Sequence, residues 1–291
     1  MKREGGHFIK LSDGFTYYKE ENTNSEKDVI ILIHGFSVPS YIWNPTYQKL
    51  KNKGFRVIAL DLYGRGFSDN LDTDYTDRLM ANQVLELLNH LNINQAHLVG
   101  LSNGGRIISQ AAVLKPQLIQ SLIYVSSNSF EDIEVTSDVS VSINEINEFI
   151  SRYPEIALGQ LNDFFDPTQF PNWSKKYATL QKFKGFARAL ISTRKNHTTM
   201  DAIHEKIHDH NIPVYTIWGV ADRVVVYANF KDKLQKLLPN RKEFFIEKSA
   251  HLPQMENKTA FEDLLINSIL PENSLKVNTQ EGTLNLTELP R

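Results

Sequence analysis

Residues 99–105 have the sequence Val-Gly-Leu-Ser-Asn-Gly-Gly, which contains the pattern G-x-S-x-G around Ser102. An apolar run, Ala96–Val99, precedes the pattern, and a helix-like segment follows over 106–114. A strand, a tight turn and a helix in this order are the context in which the pattern marks a nucleophilic serine. The glycines let the strand and the start of the helix approach each other closely. The N-terminus of the helix directs free N–H groups at the seryl oxygen. The stretch therefore predicts a strained turn that presents Ser102 as a nucleophile.

Short apolar runs alternate with helical patterns along most of the chain. Strands are predicted at 7–11, 15–18, 29–33, 55–60, 96–101, 118–125, 212–218 and 243–246, and the first two form a hairpin around Asp13-Gly14. Helices are predicted at 40–53, 77–92, 106–114, 227–238 and 257–270. Continuous apolar strands separated by helices are typical of a parallel sheet covered on both faces. The predicted fold class is α/β, with a mostly parallel central sheet flanked by helices.

The rhythm of strands and helices is interrupted between residues 129 and 210. This segment has helical patterns, many aromatic residues and no convincing buried strand. It is predicted to be a helical lid inserted into a core made of residues 1–128 and 211–271. The polar residues 272–291 are predicted to form a frayed or loosely packed C-terminal tail.

Composition limits the setting in which the protein works. The chain has 291 residues, 41% hydrophobic content, a net charge of −2 and no cysteine. Acidic and basic residues are interspersed, so nothing predicts a nucleic-acid partner or a polybasic membrane patch. Neither a secretory signal nor an apolar run of transmembrane length is visible, which leads us to expect a soluble cytoplasmic protein. The oligomeric state does not follow from the sequence.

A base and an orienting carboxylate for the serine follow two later strands. Asp222 comes just beyond the apolar run 212–218, and His251 comes just beyond 243–246. The carboxyl ends of parallel strands face one crevice, so these side chains and Ser102 are expected to converge there. A serine hydroxyl needs such a base, and the base needs an acid that fixes its tautomer. The chain order Ser, Asp, His therefore predicts a catalytic triad.

The loop after the first buried strand supplies candidate donors for an oxyanion. It has the sequence Ile-His-Gly-Phe-Ser at 33–37, and the backbone N–H of Phe36 is one predicted donor. The backbone N–H of Asn103, directly after the nucleophile, is the other. His34 is interpreted as a structural residue that bonds the loop.

With these motifs the chain resembles the α/β-hydrolase superfamily, in particular its carboxylesterases and monoacylglycerol-type lipases with a lid domain. The resemblance includes the D-x-x-G-x-G-x-S turn at 61–68 and covers about residues 7–270, apart from the insertion. It implies a serine hydrolase that cleaves small acyl or lipid-like esters through an acyl-enzyme, without a cofactor. The serine at position 102 argues against haloalkane dehalogenases and epoxide hydrolases, which resemble this fold but carry an aspartate nucleophile. Carbon–carbon bond hydrolases, perhydrolases, amidases and a non-catalytic ligand receptor remain as alternatives.

Other polar and aromatic residues have simpler interpretations. Asp61 and Arg65 are expected to form a buried structural ion pair in the glycine-rich turn. Asp201, His204 and His208 share a helical face that is interpreted as solvated, and no metal site is predicted. An apolar substrate pocket needs aromatic or aliphatic lining, for which the candidates are Trp43, Phe164, Phe165 and Trp173.

Overall fold

The computed structural model describes residues 5–271, so the predicted tail at 272–291 lies outside the described residues. The strands are β1 (His7–Lys10), β2 (Phe15–Glu21), β3 (Val29–Ile33), β4 (Arg56–Leu60), β5 (Ala96–Leu101), β6 (Ile119–Val125), β7 (Val214–Gly219) and β8 (Lys242–Ile246). The helices are α1 (Asn44–Asn52), α2 (Asp77–His90), α3 (Asn103–Leu114), α4 (Ile143–Ser151), α5 (Tyr153–Gly159), α6 (Trp173–Gln181), α7 (Lys184–Lys195), α8 (Asp201–Asp209), α9 (Lys231–Leu237), α10 (Pro253–Glu256) and α11 (Lys258–Leu264).

All eight strands join one sheet in the order β1-β2-β4-β3-β5-β6-β7-β8. The pairs β1–β2 and β2–β4 are antiparallel, and every other neighbouring pair is parallel. The predicted α/β class and mostly parallel sheet are therefore confirmed. Three predicted helices differ at their starts. The 3₁₀ turns at Ser40–Trp43 and Tyr227–Asn229 precede α1 and α9, and α3 begins at Asn103, earlier than the predicted 106.

Successive residues of the buried strands feed two separate cores. In β3, Ile31 and Ile33 pack on the side of α2 and α3, whereas Ile30 and Leu32 pack on the side of α1 and α11. Side chains of a strand point alternately to opposite faces, so a sheet with helices on both faces needs apolar residues at every position. This is why β3 is a continuous apolar run and not an alternating one.

Helices and turns, and no strand, connect β6 to β7 in the structure. Helices α4, α5, α6 and α7 lie in this connection, as does α8, which packs against α3. Its helical character agrees with the insertion predicted at 129–210. The division into a core and a lid stays a prediction.

Buried arginines attach the end of α7 to the sheet domain. Arg65 donates a hydrogen bond from Nη2 to Thr193 Oγ1 over 2.8 Å. Arg106 pairs with Asp77 over 2.8 Å and also donates to the carbonyl oxygen of Thr198. Hydrogen bonds stabilise a buried guanidinium, so these contacts hold the end of α7 and the segment after it on the core.

The expected ion pair between Asp61 and Arg65 is not formed. Both side chains are buried, but Asp61 accepts hydrogen bonds from the backbone N–H groups of Ser40 and Phe67. Arg65 instead donates to the carbonyl oxygens of Phe36 and Tyr63. Backbone groups thus satisfy Asp61 and, together with the Thr193 hydroxyl, Arg65, and the turn is held without a direct pair.

The interpretation of the α8 face as solvated is wrong for one of its residues. His204 is fully buried and stacks on Phe130, with ring centroids 4.6 Å apart. Its imidazole is therefore part of the packing between α8 and the core. Burial lowers the pKa of His204 to about 3, with Arg106 and Lys233 acting in the same direction, so the ring is neutral.

Candidate active site

Ser102 lies in a strained turn between β5 and α3. Its backbone has φ 51° and ψ −118°, a conformation that non-glycine residues rarely adopt. The backbone N–H of Ser102 donates to the carbonyl oxygen of Val125 over 2.8 Å, which ties the turn to β6. The turn has the geometry that the G-x-S-x-G pattern predicts.

The glycines of this turn are required by close backbone approaches. A Cβ atom at Gly100 would lie 2.5 Å from the carbonyl oxygen of Gly104, so strand and helix start pass without room for a side chain. A Cβ atom at Gly104 would lie 2.6 Å from the carbonyl oxygen of Ile33. Because real contacts of this kind are longer, both positions exclude larger residues.

Asp222 and His251 meet at the carboxyl ends of β7 and β8. The Nδ1 atom of His251 lies 2.9 Å from Oδ2 of Asp222, and both side chains are buried. The other carboxylate oxygen of Asp222 accepts hydrogen bonds from the backbone N–H groups of Val224 and Val225 over 2.8 and 3.0 Å. The carboxylate is therefore held on both sides, and it fixes the orientation of the imidazole.

The charges around His251 favour its protonated form. Burial lowers the pKa of the imidazole, but the hydrogen bond and charge of Asp222, together with the charges of Asp163 and Glu131, outweigh it. The net result is a pKa raised above the ordinary histidine value. Burial in turn raises the pKa of Asp163 to about 6, the charge of His251 lowers it, and the charges of Asp222 and Glu256 raise it.

The loop that carries His251 is bonded to the predicted lid. The backbone N–H of His251 donates to the carbonyl oxygen of Asp163 over 2.9 Å. The Glu256 carboxylate accepts from the backbone N–H of Ala250 over 2.8 Å and from that of Phe165. One carboxylate thus joins the histidine loop to the chain segment of Asp163 and Phe165.

The loop after β3 lies beside the serine. A Cβ atom at Gly35 would be 3.3 Å from Cβ of Ser102, so the backbone at Phe36 approaches the nucleophile turn. Asn103 is the first residue of α3, and its backbone N–H has no acceptor inside the helix. The two predicted oxyanion donors therefore belong to backbone segments on either side of Ser102.

His34 holds this loop, as its interpretation as a structural residue requires. Its Nε2 accepts from the backbone N–H of Leu62 over 3.0 Å, and its Nδ1 lies 2.8 Å from the carbonyl oxygen of Gly35. Accepting at Nε2 leaves the proton on Nδ1. Burial lowers the pKa of His34 to about 3, although the bond to Gly35 opposes it, so the ring is neutral.

A cavity of about 320 Å³ opens over Ser102 and His251. Its apolar lining comes from side chains that follow β3, precede Ser102 or follow β7 and β8: Phe36, Val38, Ile42, Leu101, Val224, Val225 and Leu252. Ser102 Oγ and His251 make no direct hydrogen bond, although both residues lie within the described part of the chain. Such bonds are often long without a bound substrate and tighten in the complex.

The four aromatic pocket candidates lie away from this cavity. Trp43 is fully buried in the core and packs against Phe261. Phe164 and Trp173 pack against each other, with centroids 5.4 Å apart, in a buried cluster. Phe165 is half exposed and does not line the cavity either. Aromatic rings of the insertion pack among themselves because this removes more of their surface from water than one wall of an open cavity does.

Polar residues that the sequence did not single out line the cavity instead. They are Asn128, Glu131, Gln160, Asp163, Arg194 and His197. All of them except Asn128 come from the segment that was predicted as the lid. No short motif in that segment marks a residue as facing the pocket. Among residues 5–271, no three His, Cys, Asp or Glu side chains are grouped as a metal ion requires.

Comparison with known proteins agrees with this geometry. Residues 28–258 match the model of the family described as alpha/beta hydrolase fold. The chain belongs to the α/β-hydrolase fold family. It is a hydrolase of this fold, and no helix within 5–271 has both the length and the apolar character needed to cross a bilayer.

Relatives of this α/β hydrolase include a hydrolase and a lipase. It is 28% identical to the hydrolase YugF of Bacillus subtilis, over 82% of this chain and 89% of that protein. It is 24% identical to Lipase 3 of a Moraxella species, over 85% of this chain and 79% of the lipase.

Solved structures share the fold at lower identity. A thermophilic esterase from Thermogutta terrifontis has a TM-score of 0.73 at 19% identity and covers 92% of this chain and 99% of its own. A 2-hydroxy-6-oxo-6-phenylhexa-2,4-dienoate hydrolase from a Rhodococcus species has a TM-score of 0.72 at 20% identity. The match covers 90% of this chain and 98% of that hydrolase. At these identities the likeness concerns the fold.

Proposed function

We propose that this α/β hydrolase cleaves carboxylic esters by a Ser102–His251–Asp222 triad. The observation that carries the proposal is the 2.9 Å contact of His251 with Asp222 at the wall of the cavity that also contains Ser102. The strained turn at Ser102 adds to it, because such strain persists only where the surrounding structure maintains it.

The reaction follows from the positions of these groups. Ser102 Oγ attacks the ester carbonyl carbon while His251 Nε2 takes the seryl proton, and Asp222 stabilises the resulting imidazolium. The backbone N–H groups of Phe36 and Asn103 stabilise the oxyanion, and each such donor contributes on the order of 3 kcal/mol. His251 then protonates the leaving alcohol. Water, activated by the same histidine, hydrolyses the acyl-enzyme to the carboxylic acid and free Ser102.

The test combines covalent labelling with turnover. A fluorophosphonate probe is expected to label the wild type at Ser102, and Ser102→Ala is expected to abolish both labelling and hydrolysis of 4-nitrophenyl esters. His251→Ala is expected to lower turnover nearly as far, because the members of a triad act as a unit. Substantial turnover by purified Ser102→Ala would contradict the assignment. Labelling without turnover of any ester would point to amide or carbon–carbon bond substrates.

A further inference from the structure

Arg194 is a cation in the cavity wall that has no partner of opposite charge among residues 5–271. It lies near the end of α7, and its guanidinium is 5.4 Å from the centre of the Phe36 ring. Its side chain forms neither a hydrogen bond nor an ion pair with any residue from 5 to 271. The five N–H donors of this side chain are therefore available to a ligand in the cavity.

Neighbouring cations of the same helix are engaged by the protein. Arg188 donates to the carbonyl oxygen of Leu71 over 2.8 Å and pairs with Asp72 over 3.1 Å. Lys195 pairs with Glu145 over 2.7 Å. Arg194 differs from both, because it has no such partner in the described part of the chain and because it lines the cavity with Ser102.

The charged residues on either side of Arg194 in the sequence are lysines and arginines. Residues 167–200 contain seven lysines and arginines and no aspartate or glutamate, in a chain whose net charge is −2. His197, which also lies at the cavity, does not add a cation. Burial lowers its pKa to about 3, and Arg106, Arg65 and Arg194 lower it too.

The cavity wall carries acidic residues as well as Arg194. Glu131 and Asp163 are close enough to His251 for their charges to raise its pKa. The guanidinium of Arg194 lies beside the Phe36 ring. A bound anion is therefore favoured at Arg194 and disfavoured beside the two carboxylates.

We propose that Arg194 makes this site selective for esters that carry a second, ionised carboxylate. The inference rests on the proposed esterase function and names its substrate class. A guanidinium binds a carboxylate with two parallel N–H···O bonds, which gives orientation as well as attraction. Held in this way, the substrate presents its neutral ester group to Ser102 and keeps its charged end away from Glu131 and Asp163.

Two matched pairs of esters test the proposal by turnover. One pair is the 4-nitrophenyl half-ester of adipic acid and 4-nitrophenyl hexanoate, which place a carboxylate or a methyl group at the end of the acyl chain. The other pair is 3-acetoxybenzoate and its methyl ester, which differ in the alcohol part. We expect the ratio of kcat/KM for the charged and the neutral ester to fall roughly tenfold in Arg194→Gln for at least one pair. Arg194→Lys should lie between the two, since it keeps the charge without the planar fork.

Arg188→Gln is the matched control, because it removes a cation of the same helix that has its own partners. The proposal is overturned if neither pair shows a higher ratio in the wild type than in Arg194→Gln, or if Arg188→Gln lowers the ratio equally.

A binding measurement separates this proposal from the esterase assignment. Adipamate and hexanamide are unreactive analogues of the first ester pair, with and without the carboxylate. Calorimetry is expected to show tighter binding of adipamate by the wild type and a roughly tenfold loss in Arg194→Gln. Equal affinities for the two amides in the wild type overturn the carboxylate site even if esters are hydrolysed. Arg194-dependent binding of adipamate without turnover of any ester contradicts the esterase function alone.

Discussion

The backbone N–H of His251 donates a hydrogen bond to the carbonyl oxygen of Asp163 over 2.9 Å. The first residue is the proposed catalytic base, and the second belongs to the predicted lid. The Glu256 carboxylate makes a second link between the same two segments through Ala250 and Phe165. The position of the base therefore depends on contacts with the predicted lid as well as on Asp222.

Removal of the Glu256 carboxylate is expected to lower both stability and turnover. Glu256→Ala removes the acceptor of two backbone N–H groups, one part-buried at Ala250 and one exposed at Phe165, and the loss of one hydrogen bond typically costs about 0.5–1.5 kcal/mol. Thermal unfolding should report the loss of stability, and kcat should fall because His251 is held less firmly. Glu247→Ala is the control, since that side chain is exposed on the same loop. A normal kcat in Glu256→Ala would show that the base is positioned without the Glu256 carboxylate.

The pH dependence of ester turnover should reflect the carboxylates around His251. The base acts when neutral, and its pKa is raised, so activity should fall below a midpoint higher than the usual histidine value of about 6.5. Asp163→Asn removes one of the charges that raise this pKa, and the acid limb of kcat/KM should move to lower pH. Asp166→Asn, in the same segment, should leave the limb in place. If the acid limb did not move in Asp163→Asn, the charge of Asp163 would not contribute to the pKa of the base.

Asp163→Asn should also change the stability of the protein, in a direction that depends on pH. The pKa of Asp163 is raised from 3.8 to about 6, so the folded state binds the carboxyl proton more tightly than the unfolded state does. This contribution to stability is fully present below pH 3.8 and is lost as the pH rises through 6. Asp163→Asn should therefore raise Tm relative to the wild type at pH 8 and lose this advantage at pH 4. A Tm that falls at both pH values would indicate that the carboxylate makes stabilising contacts.

The strain at Ser102 should appear as a difference between two inactive variants. Glycine adopts positive φ without a steric penalty, whereas alanine does not. The free energy of unfolding, measured with denaturant, is therefore expected to be larger for Ser102→Gly than for Ser102→Ala by about 1 kcal/mol or more. Equal stabilities would mean that the turn conformation at φ 51° is not strained in the folded protein.

The acyl-chain preference should depend on the cavity wall and not on the buried aromatic cluster. Phe164→Ala is expected to destabilise the protein by about 3–5 kcal/mol with an unaltered profile across ester chain lengths. Val224 is exposed at the cavity, so Val224→Phe should narrow it at little cost in stability. It should lower kcat/KM for long esters relative to acetate several-fold. A chain-length shift in Phe164→Ala would place that ring in contact with substrate after all.

The sequence allowed prediction of the features that depend on local pattern and on sheet topology. The strands follow from apolar runs such as Val29–Ile33, and the meeting of Asp222 with His251 follows from the shared carboxyl edge of parallel strands. The glycines at 100 and 104 have a steric requirement that any sequence with this turn must meet.

The lining of the cavity did not follow from the sequence. Whether Phe164 or Trp173 faces the cavity or its own cluster depends on how the helices of the insertion pack, and both outcomes satisfy the same apolar pattern. Arg194 likewise has no local signature, since its proposed role depends on its having no acidic partner among residues 5–271, which only the tertiary structure shows. His204 differs from its expected exposure because α8 packs against α3.

The place of the insertion in the sheet has a consequence for synthesis of the chain. Strands β6 and β7 pair directly, yet the 88 residues from 126 to 213 separate them. At the usual ribosomal rate this segment takes roughly 4–18 seconds to appear, during which the apolar edge of β6 lacks its neighbour. Unpaired apolar strand edges invite association with other chains. The nascent protein therefore passes through an aggregation-prone stage whose duration is set by the length of the inserted segment.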